Sequence, residues 1–156
     1  MTRTLRIPLL LAVLSMAILS CDGKRVYEKN LELDKGEWPK DKALEFEFEI
    51  ANTSELYNVL VNVRNGNDYP YSNLYLYIEM QSPDEKYYSD TLEFQMADNT
   101  GRWTGSGIGS NWINQFPLLQ GVKILVPGQY KVIIKQGMRE DTLRAISDVG
   151  IRIEKS

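Results

Sequence analysis

Cys21 is the residue whose side-chain chemistry this sequence indicates most directly, because it is the single cysteine in a chain without histidine. A lone cysteine cannot form an internal disulfide, so its position needs another explanation. The lack of histidine removes the usual general base of nucleophilic triads and the commonest ligand of transition metals. We therefore expect neither conventional serine or cysteine hydrolysis nor a Cys/His zinc site, and we expect no cofactor and no metal.

The residues before Cys21 have the layout of a secretory signal peptide. Arg3 and Arg6 supply a basic start, residues 7–19 are almost wholly apolar, and Ser20 is small. A membrane-spanning helix needs about 20 apolar residues, and this run is well short of that. With cysteine directly after serine, the segment resembles the lipobox of bacterial lipoproteins, in which the thiol is acylated and the signal is cut off before the cysteine. An ordinary signal peptide with a leftover thiol is the alternative.

The charge balance predicts an acidic, folded body behind this signal. The chain has 18 Lys and Arg against 21 Asp and Glu, and removal of Arg3 and Arg6 with the signal leaves a net charge of −5. An acidic balance without a basic patch argues against nucleic acid as a partner. We predict a lipoprotein signal peptide at 1–20, a lipidated N-terminus and tether at 21–40, and a single β-sandwich domain at 41–156.

Alternation of apolar and polar residues recurs along the body and predicts β-strands. In residues 44–50, apolar side chains alternate with three glutamates, as in a strand with one buried face. The one helix candidate, at 141–147, is short. We predict an all-β fold, an antiparallel β-sandwich of the Ig-like or jelly-roll-like kind, with at most one short helix near the C-terminus. Further strands are predicted at 57–64, 74–80, 87–96, 129–136 and 149–153.

Paired carboxylates are the remaining catalytic possibility, since glycoside hydrolysis needs only two acids that flank a bond. Glu45, Glu47 and Glu49 form the densest acidic set. Alternation places all three on the solvent face of one strand, where they keep the sheet soluble. We therefore predict a protein that is not an enzyme.

Aromatic residues are concentrated on the predicted strands and in the turns between them. Exposed rings on a β-sandwich stack on sugars or anchor a protein partner, whereas buried rings fill the core. The turn region at 64–73 combines rings with polar groups, and we predict a partner surface there. The alternative is architectural, because Asn side chains hold turns and tyrosine hydroxyls cap the edges of a sandwich. The candidate residues are Arg64, Asn65, Tyr69, Tyr71 and Asn73, and further aromatic residues are Tyr75, Tyr77, Tyr87, Tyr88, Trp103 and Trp112.

A set of segments spread over the predicted mature chain carries a family resemblance. The segments are Cys21-Asp22, Val26-Tyr27-Glu28, Trp38 with Asp41, the run from Tyr57 to Asn65, the run from Tyr69 to Leu76, Gly128-Gln129-Tyr130, Met138-Arg139 and residues 146–153. Together they resemble the gliding motility lipoprotein GldH family of Bacteroidetes. The stretch from Arg64-Asn65 to Tyr69-Pro70-Tyr71-Ser72-Asn73 is the most distinctive part.

The resemblance implies a cell-envelope lipoprotein that is needed for gliding over surfaces, has no known enzymatic activity and carries no catalytic residues. We therefore expect a membrane contact through the lipid at Cys21 and contacts with other envelope proteins in motility or secretion-linked machinery. The expected location is the outer membrane, with the body facing the periplasm. The alternative function is a carbohydrate-binding lipoprotein of a glycan-uptake system, with tyrosine and tryptophan rings as stacking platforms.

Overall fold

The computed structural model describes residues 23–156, and the predicted signal peptide and Cys21 lie outside the described residues. The described chain consists of β-strands joined by turns, with one 3-10 turn at Asp34–Gly36. Within residues 23–156 no helix is long and apolar enough to cross a membrane. The strands are β1 (Arg25–Glu32), β2 (Glu37–Pro39), β3 (Leu44–Ile50), β4 (Leu56–Gly66), β5 (Asn73–Gln81), β6 (Tyr87–Gln95), β7 (Ser106–Ile108), β8 (Asn111–Lys123), β9 (Gly128–Gln136), β10 (Thr142–Arg144) and β11 (Ile146–Lys155).

Two antiparallel sheets enclose the core, which confirms the predicted all-β sandwich. The five-stranded sheet has the order β1-β11-β4-β8-β7, and the four-stranded sheet has the order β3-β9-β5-β6. A separate two-stranded ladder pairs β2 with β10. Aromatic rings join the two sheets: Phe94 on β6 stacks on Phe116 of β8 with centroids 4.7 Å apart, and Tyr27 on β1 lies 5.6 Å from Phe48 on β3.

The strand β3 shows how the sequence pattern produces the sandwich. Its four apolar side chains are buried and its three glutamates are exposed, as the alternation predicts. Full burial of one large apolar side chain contributes about 1.5–3 kcal/mol, so such a strand is held by its inner face. The glutamates cover an edge strand of the four-stranded sheet, where charge discourages pairing with another chain. Glu45 also forms a 2.7 Å ion pair with Lys131 on the neighbouring strand β9.

Residues 25–39, most of the segment predicted to be a tether, belong to the fold, and this corrects the tether boundary. β1 pairs with β11 along its length, with Glu32 opposite Asp148 at the far end. Trp38 on β2 is fully buried, and its indole N–H donates to the Lys42 carbonyl at 3.0 Å. β1 is an edge strand with an irregular burial pattern, so its own sequence lacks the alternation that identifies β3.

The prediction of a helix at 141–147 is wrong, because β10 and the start of β11 occupy these residues. Leu143 on β10 is fully buried and lies opposite Trp38 on β2. Ala145 has a φ of 61°, a left-handed conformation that interrupts the extended backbone between the two strands. An isolated helix shorter than about 12 residues is marginal in water, so burial of Leu143 through strand pairing decides the conformation.

Candidate functional site

Arg64 and Asn65 are neighbours on β4. Their side chains lie in different surroundings, because successive side chains of a strand point to opposite faces of the sheet. The Arg64 guanidinium lies 3.1 Å from the Asp148 carboxylate on the neighbouring strand β11. Burial raises the pKa of Asp148 above its ordinary value, although the charge of Arg64 opposes this. Asn65 is fully buried, donates to the Gly66 carbonyl at 3.1 Å and accepts from Asn114 at 2.9 Å.

Tyr69 is buried beneath the turn between β4 and β5. Its hydroxyl donates to the Asn73 backbone carbonyl at 2.8 Å. Its ring centroid lies 6.2 Å from that of Trp103 and 5.9 Å from that of Tyr71. Burial raises the pKa of Tyr69 well above its ordinary value. These contacts are the ones expected from the architectural alternative, in which the tyrosine holds the turn.

Tyr71 and Asn73, just before and at the start of β5, are both partly exposed and bond to glutamates. The Tyr71 hydroxyl donates to the Glu140 carboxylate at 2.5 Å, and the Asn73 amide donates to the Glu93 carboxylate at 2.6 Å. Of the five predicted site residues, the structure therefore brings three together, because Tyr69 contacts the Tyr71 ring and donates to the Asn73 carbonyl. Arg64 and Asn65 lie apart from them, on β4 of the five-stranded sheet.

An open groove of about 550 Å³ continues from Tyr71 along the outer face of the four-stranded sheet. Tyr75 and Tyr77 point outward from β5, and their side chains are 37% and 45% exposed, while the apolar residues between them are buried. Thr91 lies opposite Tyr77 on β6. We call this feature the tyrosine groove, and it is lined by Tyr71, Tyr75, Tyr77, Thr91, Gly137, Met138 and Arg139.

Gly137 keeps the floor of the tyrosine groove open. Its N–H donates to the Tyr75 carbonyl at 2.7 Å, which ties the end of β9 to β5. A Cβ at this position would lie 3.2 Å from Tyr75 and 3.2 Å from a ring carbon of Tyr77. The bare backbone therefore allows the Tyr77 ring to lie close to the chain, and a larger residue would displace it.

Two glutamates fix the phenol groups of the groove. The hydrogen bond to Glu140 raises the pKa of Tyr71, and the hydrogen bond to Glu93 raises the pKa of Tyr75. Arg139 is exposed and forms no ion pair within residues 23–156. The groove thus presents aromatic rings and one guanidinium, with two carboxylates bonded to its tyrosines, which is a set of groups suited to recognition of another molecule.

The sequence predicts that the groove tyrosines point outward, but it does not predict the rest of the groove lining. Tyr75 and Tyr77 occupy the polar positions of an alternating strand, so their outward direction follows from the pattern. Gly137 and Arg139 lie some sixty residues later in the chain, and the antiparallel pairing of β5 with β9 brings them to the tyrosines. No local signal in the sequence marks that contact.

The two tryptophans considered as sugar platforms are only partly exposed. Trp103 packs against Tyr69 at the edge of the core. The Trp112 indole N–H donates to the Asn67 side chain at 2.6 Å, which holds the ring beside the turn that follows β4. Neither ring lines the tyrosine groove.

We expect that Tyr69→Phe lowers stability at neutral pH and makes the fold less sensitive to alkali. The variant leaves the Asn73 carbonyl without its donor, a loss of about 0.5–1.5 kcal/mol. Because the folded pKa of Tyr69 is raised above 10.0, its contribution is complete below pH 10 and is lost as the pH rises further. Urea unfolding at pH values below and above 10 measures how the free energy of unfolding changes with pH in each protein. An equal pH dependence for variant and wild type would refute the prediction.

Among solved structures, part of a family GH115 4-O-methyl-alpha-glucuronidase overlaps this chain with a TM-score of 0.39 and 15% sequence identity. The overlap covers 86% of this chain and 18% of that chain.

Sequence comparison finds a family and relatives that match the same residues that form the sandwich. The model of the family described as GldH lipoprotein matches residues 25–153. The gliding motility lipoprotein GldH homolog of Christiangramia forsetii is 41% identical over 144 residues, with 88% of each chain covered. The gliding motility lipoprotein GldH of Flavobacterium johnsoniae is 34% identical over 153 residues, with 94% of each chain covered. The chain therefore belongs to the GldH lipoprotein family.

Proposed function

We propose that this protein is a lipid-anchored, non-enzymatic component of the cell envelope that acts through protein contacts in gliding or secretion-linked machinery. Acylation of Cys21 anchors it, and its place is the outer membrane, with the sandwich facing the periplasm. The membership in a lipoprotein family and the signal-like segment that ends at Cys21 support the anchor. Each buried methylene contributes about 0.8 kcal/mol, so two or three acyl chains hold a protein durably.

The tyrosine groove is the observation that carries the protein-contact part of this proposal. Tyrosine and arginine are enriched among the residues that dominate binding energy at protein interfaces. Tyr71 and Tyr75 are already fixed by their glutamate partners, so binding costs little side-chain entropy there. Arg139 adds an exposed guanidinium that suits a carboxylate of the partner.

The strand β6 beside the groove favours an extended segment as the bound part of the partner. β6 is an edge strand of the four-stranded sheet, and most of its side chains are exposed. An edge strand presents unpaired backbone groups to which an extended segment adds as a further strand. Thr91 belongs both to β6 and to the groove, so one segment can pair with the edge and reach the tyrosines.

The two tryptophans give sugar binding little support. Trp103 and Trp112, two of the rings considered for stacking, are engaged with Tyr69 and Asn67 and are partly buried. The relatives described as gliding motility lipoproteins also favour motility over glycan uptake. We therefore retain protein contact as the proposed function.

We expect a photo-cross-linking phenylalanine analogue at Tyr77 to give one discrete cross-linked product in intact cells. The matched control is the same analogue at Ile113, which is 44% exposed on the five-stranded sheet, against 45% for Tyr77. A Tyr75→Ala change should reduce the yield from position 77 by about tenfold or more, the scale of one interface hot spot. Mass spectrometry then identifies the cross-linked protein. Equal products from both positions, or none from either, would contradict the proposed contact.

The anchor is tested separately with a fatty-acid probe and the Cys21→Ala change. Wild type should incorporate the probe and sediment with membranes, and the variant should do neither. The set of proteins that co-purifies from detergent-solubilised envelope should shrink in the variant, because the body no longer stays at the membrane. Unlabelled wild type with an unchanged partner set would overturn the lipid anchor.

A further inference from the structure

One end of the sandwich exposes aliphatic side chains that do not belong to the core. Leu125 is 73% exposed, Leu56 is 48% exposed and Val26 is 42% exposed. Isolated exposed apolar residues are ordinary on a protein surface, but these three share one end of the molecule.

The strand registers place these residues together. Leu56 lies opposite Lys123, and Leu125 follows Lys123 by two residues. At the same end of the five-stranded sheet, Arg25 lies opposite Glu154. The loop that carries Leu125 is held in place, because the Tyr130 hydroxyl donates to the Val126 carbonyl at 2.7 Å. We call this end, with Val26, Leu56 and Leu125, the aliphatic end.

The aliphatic end is also the end at which the described chain begins. Arg25 is the first residue of β1, and Cys21 precedes it by four residues. An extended chain spans at most about 3.3–3.6 Å per residue, so the Cα atoms of Cys21 and Arg25 are at most about 14 Å apart. A tether that reached residue 40 would allow the body to lie much farther from the lipid than this connection of four residues does.

Two exposed lysines at this end suit a layer of anionic lipid headgroups. Lys24 and Lys123 are exposed and have no carboxylate partner within residues 23–156. Lys155 is instead paired with Glu55 at 3.1 Å. Lysines near a bilayer interact with anionic headgroups while aliphatic neighbours enter the interface.

We propose that the aliphatic end lies on the lipid surface, with Leu125 in the interfacial layer and Lys123 among the headgroup phosphates. The inference depends on the proposed acylation of Cys21. The sandwich then stands with its strands directed away from the bilayer. Because β5 begins at Asn73 beside the tyrosine groove and ends at Gln81 toward the aliphatic end, the groove is held on the half of the sheet that is farther from the membrane.

Depth-dependent fluorescence quenching on the full-length, lipidated protein tests this orientation. Cys21 is the single cysteine, so an introduced cysteine is the one reactive thiol once Cys21 is acylated. We would attach an environment-sensitive dye to Leu125→Cys and, as control, to Ile108→Cys, which is 95% exposed at the opposite end. β4 spans eleven residues between these ends, or about 35 Å at 3.3 Å per residue. The vesicles contain phosphatidylethanolamine, phosphatidylglycerol and a lipid with a nitroxide on its headgroup.

We expect at least about threefold stronger quenching at position 125 than at position 108, since the strand length separates them. A second reporter at Leu56→Cys should resemble position 125. Equal quenching at 125 and 108, or stronger quenching at 108, overturns the orientation while the protein remains bound to the vesicles. Dye labelling of wild-type Cys21, or failure to float with vesicles, overturns the anchor itself and the orientation with it.

Discussion

Trp38→Ala should lower the free energy of unfolding by about 3–5 kcal/mol, the usual cost of truncating a large buried aromatic residue. Trp38 is completely buried and lies opposite Leu143 in the β2–β10 ladder. The change leaves a cavity and also leaves the Lys42 carbonyl without the indole donor now 3.0 Å away. Since small domains have a total stability of about 5–15 kcal/mol, the variant should lose a large share of it.

Urea unfolding followed by circular dichroism measures this loss, with Ile108→Ala as the matched control. Ile108 is 95% exposed, so its truncation should change stability by less than about 0.5 kcal/mol. An unchanged midpoint for Trp38→Ala would mean that residues 21–40 act as a tether after all. A large loss in Trp38→Ala alone would show that the sandwich depends on this segment.

The sequence predicts those strands that carry their own amphipathic signal. β3 and β5 alternate strictly, and one face of each is buried in the structure as expected. In such a strand the apolar positions are enough to select the extended conformation and the inward face, whichever strand lies beside it. The all-β class followed from several strands of this kind.

β1, β2 and β10 were missed because their conformation is determined by partners far away in the chain. Trp38 and Leu143 face each other across a sequence separation of more than 100 residues, and each strand of that ladder has three residues. A three-residue strand contains no periodicity to detect. Here tertiary pairing decides the structure.

The candidate site was only partly predictable for a similar reason. The outward direction of Tyr75 and Tyr77 follows from alternation on one strand. The turn residues Asn65 and Tyr69 look equally polar and aromatic in sequence, yet both are buried and bonded to the local backbone. Side-chain type alone does not distinguish a tyrosine that lines a groove from one that holds a turn.

The second large effect is expected at Gly150, which lies in the middle of β11 between β1 and β4. Asn30 on β1 extends over this glycine and accepts a hydrogen bond from Asn62 on β4 at 3.2 Å. A Cβ at position 150 would clash with the Asn30 side chain and would lie 2.5 Å from the Lys29 carbonyl oxygen. The carbonyl belongs to the backbone, so β1 must move away from β11.

Gly150→Ala should therefore lower the free energy of unfolding by about 1–3 kcal/mol, the usual cost of overpacking. Hydrogen exchange should accelerate at the amides of β1 more than at those of β3, because β1 is the strand displaced. Gly23→Ala is the matched control, since a Cβ there meets nothing within 4 Å. Adding Asn30→Gly to Gly150→Ala removes the side-chain clash but keeps the Lys29 contact. If β1 is held as described, the double variant stays less stable than Asn30→Gly alone, and equal stabilities would contradict the backbone clash.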